Sequence, residues 1–351
     1  MCFPLPATDP AHRTREDPAE GVCHGRQGVG DVAGTARGAV RAGAGWGNTP
    51  ARRPRPSPCR LSRVSLVRMS RPPTFVPPVC ALPRALSTSR GAFAVLDARP
   101  SGDVRGTALL LPGYTGSKED FIALLEPLTA AGYRAVAVDG RGQYETAGPA
   151  DQAAYAQDEL ARDVLAQAAA LGGPLHLVGH SLGGQIARAA VLMDASPFVT
   201  LTLMSSGPAQ ISPAQQQRVK LLSDALAVMR MDQVWEAILA FDAPEDAAEE
   251  ATEDREDLRR RWLLHNPAQL LATGRQLTTE PDRVAELAAV RPPHTHVLSG
   301  ERDDTWPVPL LDEMAEQLGA HRTVVAGAEH SPNTDRPAET AAALLRFWDQ
   351  H

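Results

Sequence analysis

The sequence predicts an α/β fold: a mostly parallel central sheet with helices on both faces. Three observations carry that expectation. Short apolar runs alternate with helical segments from about residue 90 to 204 and again from 294 to 348. Some runs, such as Leu109-Leu110-Leu111, are apolar without alternation, as strands covered on both faces are. One run passes almost directly into a helix through Gly179-His180-Ser181-Leu182-Gly183-Gly184, where glycines leave room for a very tight turn.

The chain has 351 residues, enough for one large α/β domain or two small ones. Its net charge of −7 is unevenly spread. Residues 1–80 carry twelve arginines against five acidic residues, whereas the remainder carries 37 acidic residues against 23 basic ones. All four cysteines (Cys2, Cys23, Cys59 and Cys80) lie in that first segment. A disulfide framework for the folded part is therefore excluded, which fits a reducing compartment and an expected cytoplasmic location.

Residues 1–80 are rich in Arg, Gly, Pro and Ala and show no sustained period of 2 or 3.6, so they are expected to be a disordered or non-native extension. Pro4, Pro6, Asp9 and Pro10 break any apolar stretch of the length a secretory signal needs. A basic arm for nucleic acid or anionic membrane is the alternative, but the arginines are scattered and lack interleaved aromatics. The simplest reading is a start site placed too far upstream, with Met69 as the true start. No run approaches the length of a membrane span.

Residues 91–97, 106–111 and 133–139 read as strands, separated by the turn Pro100-Ser101-Gly102-Asp103 and by a helix from about Glu119 to Ala131. A helix over 152–171 follows, then the strand 174–178 that feeds Ser181, the helix 185–193 and the strand 198–204. The alternation then stops. Residues 212–290 show helical spacing of Leu221, Leu222, Leu226, Val234, Trp235 and Ile238, and read as a helical cap insertion. Its charged stretch from Glu245 to Arg261 reads as a solvated helix face. Strands at 294–298 and 322–326 and helices at 310–318 and 338–348 complete the domain, taken as residues 81–351.

Gly179-x-Ser181-x-Gly183 between strand and helix is the pattern of a nucleophile elbow. Serine in a strained turn projects its hydroxyl clear of the sheet, and the backbone N–H of Leu182 at the helix start faces developing negative charge. Ligands of open α/β sheets bind outside the carboxyl ends of the strands. Strand 294–298 is followed there by Gly300-Glu301-Arg302-Asp303-Asp304-Thr305-Trp306-Pro307, and strand 322–326 by Gly327-Ala328-Glu329-His330. Asp303 and His330 are therefore the candidate acid and base, with Asp304 as the alternative acid. Asp139 reads as a turn-former bonding local backbone N–H groups. His176 and His296 lie within strands and His180 beside Ser181 is taken to face away, so all three are read as structural. His265 is assigned to surface or packing, with substrate contact the alternative. No metal-ligand spacing, P-loop or dinucleotide fingerprint is present, so neither metal nor cofactor is expected.

These motifs, in the order Ser181, Asp303, His330, together resemble the α/β-hydrolase superfamily over about residues 90–351. The resemblance implies that fold, with a catalytic triad of Ser181, Asp303 and His330. It places the second oxyanion donor in the loop Pro112-Gly113-Tyr114, as the N–H of Tyr114 beside that of Leu182, although Pro112 stands where many relatives have His. It also implies a cap where residues 212–290 lie. Serine at the elbow, rather than Asp, argues against dehalogenase and epoxide-hydrolase chemistry.

The expected activity is a serine hydrolase cleaving carboxylic esters of small to medium apolar acyl compounds through an acyl-enzyme. The same residues serve thioester hydrolysis, acyl transfer or C–C bond cleavage, and a binding protein without turnover is the reading of a different class. Gly113, Trp235 and Trp306 are expected to line the acyl pocket, and the partner is a small-molecule acyl substrate rather than nucleic acid.

Overall fold

The computed structural model describes residues 69–241, 252–290 and 293–351. The extension expected over residues 1–68 and much of the charged stretch lie outside the described residues. Eight strands form one sheet: β1 (Ala81–Thr88), β2 (Gly91–Ala98), β3 (Gly106–Leu111), β4 (Tyr133–Val138), β5 (Leu175–His180), β6 (Phe198–Met204), β7 (His294–Gly300) and β8 (His321–Val325). Their order across the sheet is β1-β2-β4-β3-β5-β6-β7-β8. Only β2 runs against its neighbours; the pairs from β4 to β8 are all parallel.

Apolar residues occupy successive positions in the central strands because both faces are covered. Leu109, Val136, Leu177 and Leu203 face one core, packed under α2 (Gln157–Leu171) and α3 (Leu182–Met193). Leu110, Ala137, Val178 and Met204 face the other, under α1 (Ile122–Ala130) and the C-terminal helix Pro337–Trp348. Ser181 thus emerges from the most deeply buried part of the sheet.

Residues 213–289 contribute only helices among the described residues: α4 (Pro213–Val228), α5 (Met231–Phe241), α6 (Thr252–Leu264), α7 (Pro267–Thr279) and α8 (Val284–Ala289). They have a core of their own, built on Leu222, Val234, Ile238, Trp262 and Leu270. The Trp262 indole N–H donates to the Met231 carbonyl at 2.8 Å, which satisfies its polar end.

Three expectations are corrected. Strand β1 has no counterpart in the sequence reading, because an edge strand carrying Pro83 and Arg84 exposes most of its side chains and shows no clean alternation. Residues 69–80, assigned above to the extension, include a buried Met69 and a half-buried Phe75 packed on the core of these inserted helices. Arg261, at the end of the charged stretch, is buried, while its neighbours Arg259 and Arg260 are exposed.

Candidate active site

Ser181 links β5 to α3 with φ 54° and ψ −120°, a strained conformation for a residue with a side chain. The turn closes because its glycines allow backbone to pass against backbone. A Cβ on Gly179 would lie 2.3 Å from the Gly183 carbonyl oxygen, and one on Gly183 would lie 2.4 Å from that of Leu111. The Ser181 N–H donates to the Met204 carbonyl at 2.9 Å, which fastens the turn to β6. Leu182 is the first residue of α3, so its N–H has no carbonyl within the helix to bond.

Two loops at the carboxyl ends of β7 and β8 supply the other members, and they are tied to each other by backbone. The Glu301 N–H donates to Val325 and the Arg302 N–H to Ala328. Gly300 permits this approach, since a Cβ there would meet the Glu329 carbonyl oxygen at 2.1 Å. Asp303 is held by the N–H groups of Thr305 and Trp306, both donating to Oδ1.

The three side chains converge. His330 Nε2 is 3.1 Å from Ser181 Oγ, and His330 Nδ1 is 3.0 Å from each oxygen of Asp303. Asp303 is an acceptor only, so Nδ1 carries the proton and Nε2 is free to accept from the serine hydroxyl. Asp304 faces α4 instead, where Oδ2 accepts from Gln215 and pairs with Arg218.

The loop after β3 abuts Ser181: a Cβ on Gly113 would lie 3.3 Å from Ser181 Cβ. The Tyr114 hydroxyl donates to the Leu270 carbonyl of α7 at 2.8 Å, joining this loop to the helical insertion. Burial pushes the Tyr114 phenol well above its ordinary value, so it stays a donor. A cavity beside this loop is lined by Leu111, Pro112, Gln143, Leu182, Ile186 and Gln269 among others.

Neither tryptophan expected in the pocket lines that cavity. Trp235 is buried among the inserted helices, and the Trp306 ring lies 6.1 Å from that of His330. Trp306 is fully buried, packs on Gly207 and donates its indole N–H to the Ala209 carbonyl. Large aromatic rings with an N–H that finds a partner are core anchors here, and composition alone does not separate that role from pocket lining.

His180 does not face away. Its Nε2 is 2.9 Å from the His330 carbonyl oxygen, and burial pushes its imidazole down to about 4, so a neutral ring donates that hydrogen bond. The sequence reading missed this role, because only the fold brings residue 330 to residue 180. His176 and His296 are buried and bonded to Thr200 and Thr323 across the sheet. His265 is buried between the carbonyls of Arg261 and Gly116. Asp139 accepts from the Lys118 N–H at 2.7 Å and from the Lys118 ammonium at 2.9 Å, so it anchors a distant turn as well as its own. Among the described residues no cluster of three His, Cys, Asp or Glu side chains suits a metal ion, and no helix is long and apolar enough to cross a membrane.

Fold and site together define an α/β protein with a serine–histidine–aspartate arrangement at the carboxyl edge of its sheet. A family model described as the alpha/beta hydrolase family matches residues 108–343, and the chain belongs to that family. It is 31% identical over 233 residues to a pimeloyl-[acyl-carrier protein] methyl ester esterase of Aeromonas hydrophila, covering 63% of this chain and 87% of that one. It is also 31% identical over 187 residues to a 2-hydroxy-6-oxononadienedioate/2-hydroxy-6-oxononatrienedioate hydrolase of Dechloromonas aromatica, covering 51% and 64%. A solved hydrolase from Pseudomonas aeruginosa superposes with a TM-score of 0.62 at 23% identity, over 76% of this chain and 98% of that one. A thermophilic esterase from Thermogutta terrifontis gives 0.61 at 21%, over 77% and 99%. At such identities these two structures speak to the fold alone.

Proposed function

We propose that the protein is a serine hydrolase that cleaves carboxylic esters of small to medium apolar acyl groups through an acyl-enzyme on Ser181. The observation that carries this reading is the pair of contacts made by His330, 3.1 Å to the Ser181 hydroxyl and 3.0 Å to Asp303. His330 takes the serine proton as Oγ attacks the ester carbonyl, and Asp303 stabilises the imidazolium that forms. The N–H groups of Leu182 and Tyr114 hold the tetrahedral oxyanion. His330 then returns the proton to the leaving alcohol. Water, activated by the same imidazole, releases the acid.

Leu111, Pro112, Leu160, Leu182 and Ile186, the apolar part of a lining that also holds Arg141, Gln143 and Gln269, support an apolar acyl group, and the similarity to a methyl ester esterase supports an ester. The test is labelling by a fluorophosphonate probe, with p-nitrophenyl butyrate and octanoate as substrates. Wild type should be labelled and turn over both esters, and Ser181→Ala should lose both signals, with kcat down on the order of 10⁶. Equal labelling of the two proteins sinks the mechanism. Turnover of a thioester or a ring-fission product with no ester turnover sinks the substrate class and leaves the nucleophile.

A further inference from the structure

The two backbone donors assigned above to the oxyanion differ in how they are held. Leu182 N–H is fixed by the helix it opens. Tyr114 N–H belongs to a loop peptide, Gly113–Tyr114, that no helix or strand orients. That peptide is trans, so its carbonyl and its N–H point in opposite directions. Whatever holds the Gly113 carbonyl therefore also aims the Tyr114 N–H.

The Gly113 carbonyl is held by Gln143, whose Nε2 donates to it at 2.8 Å. Gly116 adds a longer backbone bond of 3.3 Å from within the same loop. Gln143 itself is immobilised at every polar atom. Its Oε1 accepts from the Gly140 N–H at 3.0 Å, its N–H donates to the Gly140 carbonyl, and its carbonyl accepts from the Thr146 N–H. Because Gly140 N–H can only donate and Gly113 C=O can only accept, the amide has one orientation that satisfies both ends. The residue is only 5% exposed, which limits competition from bulk water. The Gly113 backbone in turn abuts Ser181 on its other side.

We propose that Gln143 is a positioning residue for the oxyanion hole: by clamping the Gly113 carbonyl behind the loop, it points the Tyr114 N–H at the oxygen bound to Ser181. This rests on the serine-hydrolase reading given above. The role belongs to the transition state, since the oxyanion draws on the donor more than the neutral ester does.

The experiment compares Gln143→Glu and Gln143→Met with wild type on p-nitrophenyl butyrate. Gln143→Glu keeps the oxygen that Gly140 needs, so the turn is retained, but replaces the donor with an atom that repels the Gly113 carbonyl when ionised. Complete loss of an oxyanion donor lowers kcat by about 10²–10³. A misaimed one should lower it by about ten- to a hundredfold with KM within about twofold of wild type. Binding of a trifluoromethyl ketone, which mimics the tetrahedral state, should weaken by the same factor while binding of the carboxylate product does not change. In Gln143→Glu, the ratio of its kcat to that of wild type should climb as pH falls from 8 to 5.5, because the protonated acid donates again. Folded variants with wild-type kcat, or with raised KM and unchanged kcat, overturn the proposal while the hydrolase reading stands. A wild-type protein that neither reacts with a fluorophosphonate nor turns over esters overturns both.

Discussion

Arg261 of the inserted helix α6 and Asp120, in the short 3-10 turn that precedes α1, form an ion pair of 3.0 Å with both side chains at most 1% exposed. Burial pushes the Asp120 carboxyl up, and the Arg261 charge pulls it back down. The same guanidinium donates to the Ser70 carbonyl and lies over the Phe75 ring, and the Asp120 carbonyl accepts from Asn333, three residues past His330. The helical insertion, the segment at residues 70–75 and the histidine loop therefore meet at one buried pair. Removing one partner leaves the other charged and dry, so Arg261→Met should destabilise by about 3–5 kcal/mol. The double variant Arg261→Met/Asp120→Leu should recover most of that loss. Urea unfolding of the four proteins decides it, and additive losses would show that the two residues do not act as a pair.

Asp303 and Asp304 are adjacent in sequence and face different partners. If Asp303 holds the His330 tautomer, Asp303→Asn should lower kcat by about 10⁴, because an amide donor there favours the wrong tautomer. The Asp304 side chain bonds Gln215, Arg218 and its neighbour Thr305 rather than His330, so Asp304→Asn should stay within a few fold of wild type. Equal losses in the two variants would return the choice of acid to the start.

His180 donates to the carbonyl of His330 from a buried position. A net hydrogen bond is worth about 1 kcal/mol, so His180→Phe should lower kcat by up to about fivefold through a looser histidine loop. Fluorophosphonate labelling at Ser181 should persist at a reduced rate. A wild-type rate in the folded variant would reduce His180 to packing.

Burial pushes four interior histidines down: His176, His180 and His265 to about 4 and His296 to about 3. Their unfolded value is near 6.5, so between about pH 6.5 and 4 the unfolded chain binds more protons than the native one. The stability these neutral rings contribute is complete above pH 6.5 and drains as pH falls through that window, each ring adding up to about 1.4 kcal/mol per pH unit. The urea midpoint should therefore fall well before ordinary carboxylates titrate. His296→Gln, which removes one of the four, should flatten the slope. A midpoint constant from pH 7 to 5 would contradict the burial of these rings as neutral groups.

Most of the sheet and the elbow were legible in the sequence, because period and glycine spacing are local signals. Strand β1 was not, since an exposed edge strand with Pro83 and Arg84 obeys no apolar alternation. Trp235 and Trp306 were misplaced for a related reason: a tryptophan in a core and a tryptophan lining a pocket have the same spacing. Gln143 lay directly after the turn Gly140-Arg141-Gly142, yet nothing in that local pattern names Gly113, 30 residues earlier, as its acceptor.

By itself the sequence determined which residue types could do chemistry here: a serine between glycines, an aspartate and a histidine after successive strands, and an inserted run of helices. Those features are short-range, dictated by the backbone conformations that each segment can adopt. The tertiary structure alone decided which aspartate meets the histidine, that His180 braces His330, and that Arg261 is buried against Asp120 rather than solvated. Each of these depends on a contact between distant segments, and hydrogen bonds and desolvated charges are settled only when the chain closes around them.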